Sequence, residues 1–195
     1  MKSKLILLLL ITLSASCSSD YSPKPKGYYH IELSKPVYDD FVENPFFIFS
    51  ISNQMLVEKL KETPEGMKEK NGTGFNLNYP RLNAKIYCSY FRINKPDFPI
   101  FMEESLQMVY DREKRATGVK ETEYNHPEQK VYGLIYEIQG DAISPIQFVI
   151  SDSASYFFRG ALFFDTYYNK DSIAPVLAYI NKDIQVLMES FQWKQ

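Results

Sequence analysis

Only four residues, Asp152 to Ser155, separate the apolar run Ile146 to Ser151 from the apolar run Tyr156 to Phe164. A parallel return between two strands needs a crossover of about a dozen residues or more, so this pair is predicted to form an antiparallel hairpin. The preceding stretch points the same way. Val131 to Ile138 alternates, with Tyr132, Leu134, Tyr136 and Ile138 on one face and Gly133, Ile135, Glu137 and Gln139 on the other, until Gly140 and Asp141 interrupt it.

Earlier strands are predicted at Tyr28 to Leu33, Pro45 to Ser52, Phe75 to Tyr79 and Ala84 to Ile93. Glu58 to Gly74 is polar and carries Pro64, Gly66, Gly72 and Gly74, which predicts an exposed connection. After Pro99 the period changes. Met102, Leu106, Val109 and Ala116 recur at helical spacing, with Glu103 and Glu104 near the start, Lys114 and Arg115 near the end, and Gly118 as the stop. The last helix is the clearest: Ile173, Leu177, Ile180, Ile184, Leu187 and Phe191 make one stripe, Asp171 or Ser172 offers a cap, and Pro175 falls in the first turn. A stripe of that kind faces a core, so Leu177→Asp is predicted to destabilise strongly. The order of elements reads as α+β: a single domain, mainly antiparallel β-sheet packed by a central helix and a long C-terminal helix.

The N-terminus sets the address. Lys2 and Lys4 precede an apolar run from Leu5 to Leu13, and Ser14, Ala15 and Ser16 follow it, the three zones of a secretory signal. The run is too short to span a bilayer core, which takes about 20 apolar residues. Cys17 comes directly after the small residues, as in a bacterial lipobox, although Ser14 stands where such boxes usually carry Leu. The expected organisation is therefore a signal peptide over 1–16, a lipidated Cys17 opening a proline-containing tether over 17–27, and a globular domain over 28–195. The tether would lift the domain roughly 30 Å from a membrane. Cleavage removes two lysines and no acid, taking the formal charge from -2 to -4. An acidic balance of that kind lacks the basic face that neutralises phosphates, so no nucleic acid is expected as a partner.

Few residues suggest chemistry. Two cysteines exclude a disulfide framework, and Cys88 shares a strand side with Ile86 and Tyr90, as a small core hydrophobe does. His30 and His126 make no metal spacing, and neither a metal nor a small-molecule cofactor is expected. Asn71 to Phe75 lacks the lysine of a phosphate loop. The acid pairs Asp39 with Asp40, Glu103 with Glu104, and Glu121 with Glu123 read as solvated charges. The densest polar group is Asp152, Ser153 and Arg159, which reads as a hairpin turn and an ion-paired arginine or, more sharply, as a patch that binds a protein partner. Ser153 has no nucleophile elbow around it.

Several stretches together carry a resemblance: YSPKPKGY from Tyr21, GLIY from Gly133, SPIQFVISDS from Ser144, FRGALFF from Phe158, NKDSIAPV from Asn169 and ESFQWK from Glu189. The chain resembles the gliding motility-associated lipoprotein GldD family of the Bacteroidetes over essentially all of the expected mature sequence. Between Asp111 and Ala116 it lacks a histidine found in that pattern. The resemblance implies an envelope lipoprotein required for gliding and linked to type 9 secretion, with envelope proteins of that machinery as partners, a lipid anchor in a membrane, and no known catalytic residues. The alternative is an envelope module that binds a glycan or peptide through exposed aromatic residues.

Overall fold

The computed structural model describes residues 32–110, 116–140, 142–165 and 170–194. In chain order the strands are β1 (Tyr38–Phe41), β2 (Phe47–Ser52), β3 (Leu56–Lys59), β4 (Gly72–Tyr79), β5 (Ala84–Arg92), β6 (Ala116–His126), β7 (Val131–Gly140), β8 (Ile146–Ser151), β9 (Tyr156–Phe164) and β10 (Gln192–Trp193). The helices are α1 (Glu65–Lys68), α2 (Phe98–Tyr110) and α3 (Lys170–Ser190).

Seven strands form one sheet in the order β3-β4-β5-β9-β8-β7-β6, and β1, β2 and β10 form a second sheet with β2 in the middle. Every pair is antiparallel. The short Asp152 to Ser155 connection does produce the β8–β9 hairpin. Two meanders, β3-β4-β5 and β6-β7-β8-β9, are thereby zipped together by β5 against β9, from Ala84 opposite Phe164 to Arg92 opposite Tyr156.

The alternation in β7 is double-sided because both faces of the large sheet are covered. On one face α3 inserts Val176, Ile180, Ile184, Leu187 and Met188, followed by Phe191 just past its end, among Leu77, Ile86, Phe148, Ile150, Phe158 and Leu162. The small sheet closes that core with aromatic rings: Phe47 lies 5.1 Å from Phe158 and 5.4 Å from Phe191 between centroids. Fully burying each such ring contributes about 1.5–3 kcal/mol. On the other face Phe101 and Val109 of α2 pack with Phe91, Tyr136, Ile138, Val149 and Phe157 into a second, smaller core.

Gly160 of β9 lies opposite Phe148, and a Cβ built on it would stand 2.2 Å from Cζ of that ring. Only a glycine lets the ring lie flat on the strand. Gly133 of β7 likewise makes room for Met188 of α3, whose methyl would meet an added Cβ at 2.6 Å.

The structure corrects the sequence reading in several places. Residues 28–31 of the expected first strand lie outside the described residues, and Glu32 and Leu33 are irregular. The polar stretch from Glu58 contains the end of β3, the short α1 and the start of β4. Helix α2 ends at Tyr110, so Ala116 opens β6 instead of extending a stripe, and Glu103 and Glu104 sit in mid-helix, where Glu104 pairs with Lys70. The expected closing residues Lys114 and Arg115 lie outside the described residues. Strands β1 and β6 were not foreseen because both are sheet edges, whose charged residues discourage pairing with other chains and erase the apolar alternation. Since α3 starts at Lys170, Pro175 falls in its second turn, at an exposed position. Leu177 is half-buried, flanking the core line that Val176 and Ile180 occupy, so a charge there reaches water.

Candidate functional site

The three polar residues singled out above are placed apart by the fold. Asp152 organises the β8–β9 turn: its Oδ1 accepts hydrogen bonds from the backbone N–H of Ala154 (3.0 Å), Ser155 (2.7 Å) and Tyr156 (2.9 Å). Ser153 sits beside it with a left-handed φ of 62°, its N–H donating to Ser151 Oγ at 2.9 Å. His126, at the end of β6, is two strands from β8, about 10 Å at ordinary spacing, which is too far for a serine–histidine pair.

Arg159 lies three residues along β9 from Tyr156, roughly 10 Å from the turn. Its face is that of α2: Nε donates to Ser89 Oγ at 3.5 Å, and the guanidinium stands 5.2 Å from the centre of the Phe91 ring. Arg159 also lines a cleft of about 210 Å³ between α2 and the strands β5, β9 and β8. Asp152 and Ser153 thus belong to the end of the sheet and Arg159 to its face.

A buried polar group that sequence reasoning missed lies on α3. Asp183 is 1% exposed, and its carboxylate accepts hydrogen bonds from Tyr38 (2.7 Å) and Tyr79 (3.0 Å). Burial holds its carboxyl above the usual carboxylate range, against the opposing pull of hydrogen bonds from Tyr38, Tyr79 and Ser52. A signal did exist, since Asp183 lies three residues after Ile180 and four before Leu187, in the apolar stripe. Cys88 is fully enclosed and burial pushes its thiol up, so it carries little thiolate. Among the described residues no group of three or more His, Cys, Asp or Glu could hold a metal ion.

A family model described as gliding motility lipoprotein GldD matches residues 18–193. The chain belongs to that family. A comparison with curated proteins returned no match. Membership makes this a gliding motility lipoprotein, a class held at a membrane by lipid; among the described residues no helix is long and apolar enough to cross one.

Among the described residues, four of the stretches that carry the GldD resemblance have identifiable physical roles. FRGALFF makes up the last seven residues of β9, with Gly160 beneath the Phe148 ring and Arg159 on the opposite face. The residues of NKDSIAPV from Lys170 on open α3, and ESFQWK joins its end to β10, where Phe191 and Trp193 pack against Phe47. SPIQFVISDS is β8 with the acceptors of its turn. Cys17 lies outside the described residues.

Proposed function

We propose that this GldD-family chain is a non-enzymatic accessory component of gliding motility and of the linked type 9 secretion machinery, anchored by lipid at Cys17 and docking its folded body on other envelope proteins. The observation that carries this reading is the extent of the family match, which begins one residue after Cys17 and runs almost to the C-terminus. Acylation of Cys17 supplies the anchor, since each buried methylene contributes about 0.8 kcal/mol and two or more chains hold a protein stably. Asp152 and Ser153, at one end of the sheet, are the proposed partner contacts. Arg159 lies roughly 10 Å from that turn along β9.

Two experiments test the reading. Metabolic labelling with a palmitate analogue is expected to mark the wild type and not Cys17→Ser, whose product leaves the membrane fraction. Deleting the gene is expected to abolish surface motility and secretion of type 9 cargo; a deletion strain normal in both would overturn the proposal. Crosslinking in the native envelope followed by affinity purification identifies the partners.

A further inference from the structure

The cleft between α2 and the large sheet presents both kinds of hydrogen-bonding group. Ser89 Oγ accepts from Arg159, which leaves its own O–H to donate. Ser105 donates to the Phe101 carbonyl at 2.8 Å and Gln147 Nε2 to the Met108 carbonyl at 3.5 Å, which leaves the serine lone pairs and the glutamine amide oxygen to accept. Tyr87 and Phe163, edge to face with centroids 5.4 Å apart, supply an aromatic side.

Tyr136 also lines this cleft. It is 1% exposed, and its hydroxyl is buried with no hydrogen-bond partner among the described residues. Such a group lacks the bond that buried hydroxyls nearly always have, and its residue borders the cleft from which a bound molecule would supply one.

We infer that this cleft binds a neutral sugar ring, whose hydroxyls pair with Tyr136, Ser89, Ser105 and Gln147 and whose apolar face lies against Tyr87 and Phe163. A volume of about 210 Å³ exceeds the roughly 150 Å³ that takes up a benzene ring, so one substituted six-membered ring fits. An apolar ligand would leave the Tyr136 hydroxyl still unsatisfied. A sugar combines hydroxyls that both donate and accept with a face of C–H groups, the chemistry these walls match. The ring could belong to a free monosaccharide or to the end of a glycan. The inference goes beyond the docking role proposed above and does not depend on it, because its readout needs neither motility nor a protein partner.

The test is saturation-transfer NMR on the full chain in detergent, with glucose, galactose, N-acetylglucosamine and chitotriose as probes and acetate as a carboxylate control. At least one sugar is expected to receive transfer at its ring protons, more strongly for chitotriose if a glycan end is the ligand and for a monosaccharide if it is free. Tyr136→Phe, which removes only an unpaired hydroxyl, should fold normally and bind roughly tenfold more weakly, the equivalent of one hydrogen bond. Ala161→Leu, which adds bulk to the floor between Tyr87 and Gln147, should abolish the signal. Lys182→Ala, at an exposed position of α3 on the other side of the sheet, should leave it unchanged. Transfer to no sugar, transfer to acetate alone, or a sugar signal indifferent to both cleft variants overturns the inference.

Discussion

The hydroxyl of Tyr38, in the first strand, donates a 2.7 Å hydrogen bond to Oδ1 of Asp183, 145 residues later in the terminal helix. Tyr79 holds the other carboxylate oxygen, and Tyr179, one turn earlier in α3, donates to the Ser34 carbonyl at 2.9 Å. The segment leading from the proposed tether is thus fastened to α3 where it enters the folded body. Asp183→Ala leaves two tyrosine hydroxyls without their acceptor and is expected to lower stability by about 2–4 kcal/mol. Urea unfolding measures this; a loss under about 0.5 kcal/mol would mean that water replaces the carboxylate.

Asp183 also sets a pH dependence. Its folded carboxyl is raised by burial, so the folded state keeps this proton at a pH where the unfolded chain has released it. The stabilisation from that proton is fullest below the unfolded value, about pH 3.9, and is lost as pH rises through the folded value. Wild type should therefore gain stability relative to Asp183→Asn as pH falls from neutrality toward about 4. A stability difference that stays constant across that range would contradict the assignment.

Along α3 the penalty for a charge should follow burial. Ile184 is completely enclosed, so Ile184→Asp is expected to cost about 4 kcal/mol or prevent folding, whereas Leu177→Asp should cost about 1 kcal/mol. Thermal melts of the two variants side by side make the comparison. Equal melting temperatures would refute the placement of the core line.

At Gly160 an added methyl meets the Phe148 ring. Gly160→Ala is expected to destabilise by about 1–3 kcal/mol, and Phe148→Leu in the same chain should restore part of the loss, because the two changes share one space. Strictly additive losses in a double-mutant cycle would show that the contact is not the cause.

The turn residues separate a structural role from a binding one. Asp152→Ala removes the acceptor of three backbone N–H groups and should cost about 1–2 kcal/mol. Ser153→Gly, at a left-handed φ, should be neutral or stabilise by up to about 1 kcal/mol. If crosslinked partners are recovered equally with both variants, the turn is excluded as a docking contact.

The amino-acid sequence by itself determined the parts whose cause is local. A four-residue polar connection forces a hairpin, strict alternation marks β7, and a stripe at helical spacing makes α3 amphipathic, since each depends on neighbours a few positions away. Tertiary structure alone decided which strands became edges, and so why β1 and β6 carry charges that hide them from any periodic reading. It also decided that Arg159 meets Ser89 across seventy residues of sequence, and that Asp183 is buried with two tyrosines from distant strands. Those pairings arise from how whole faces are covered. That is a sum over the entire chain, and no short window of residues contains it.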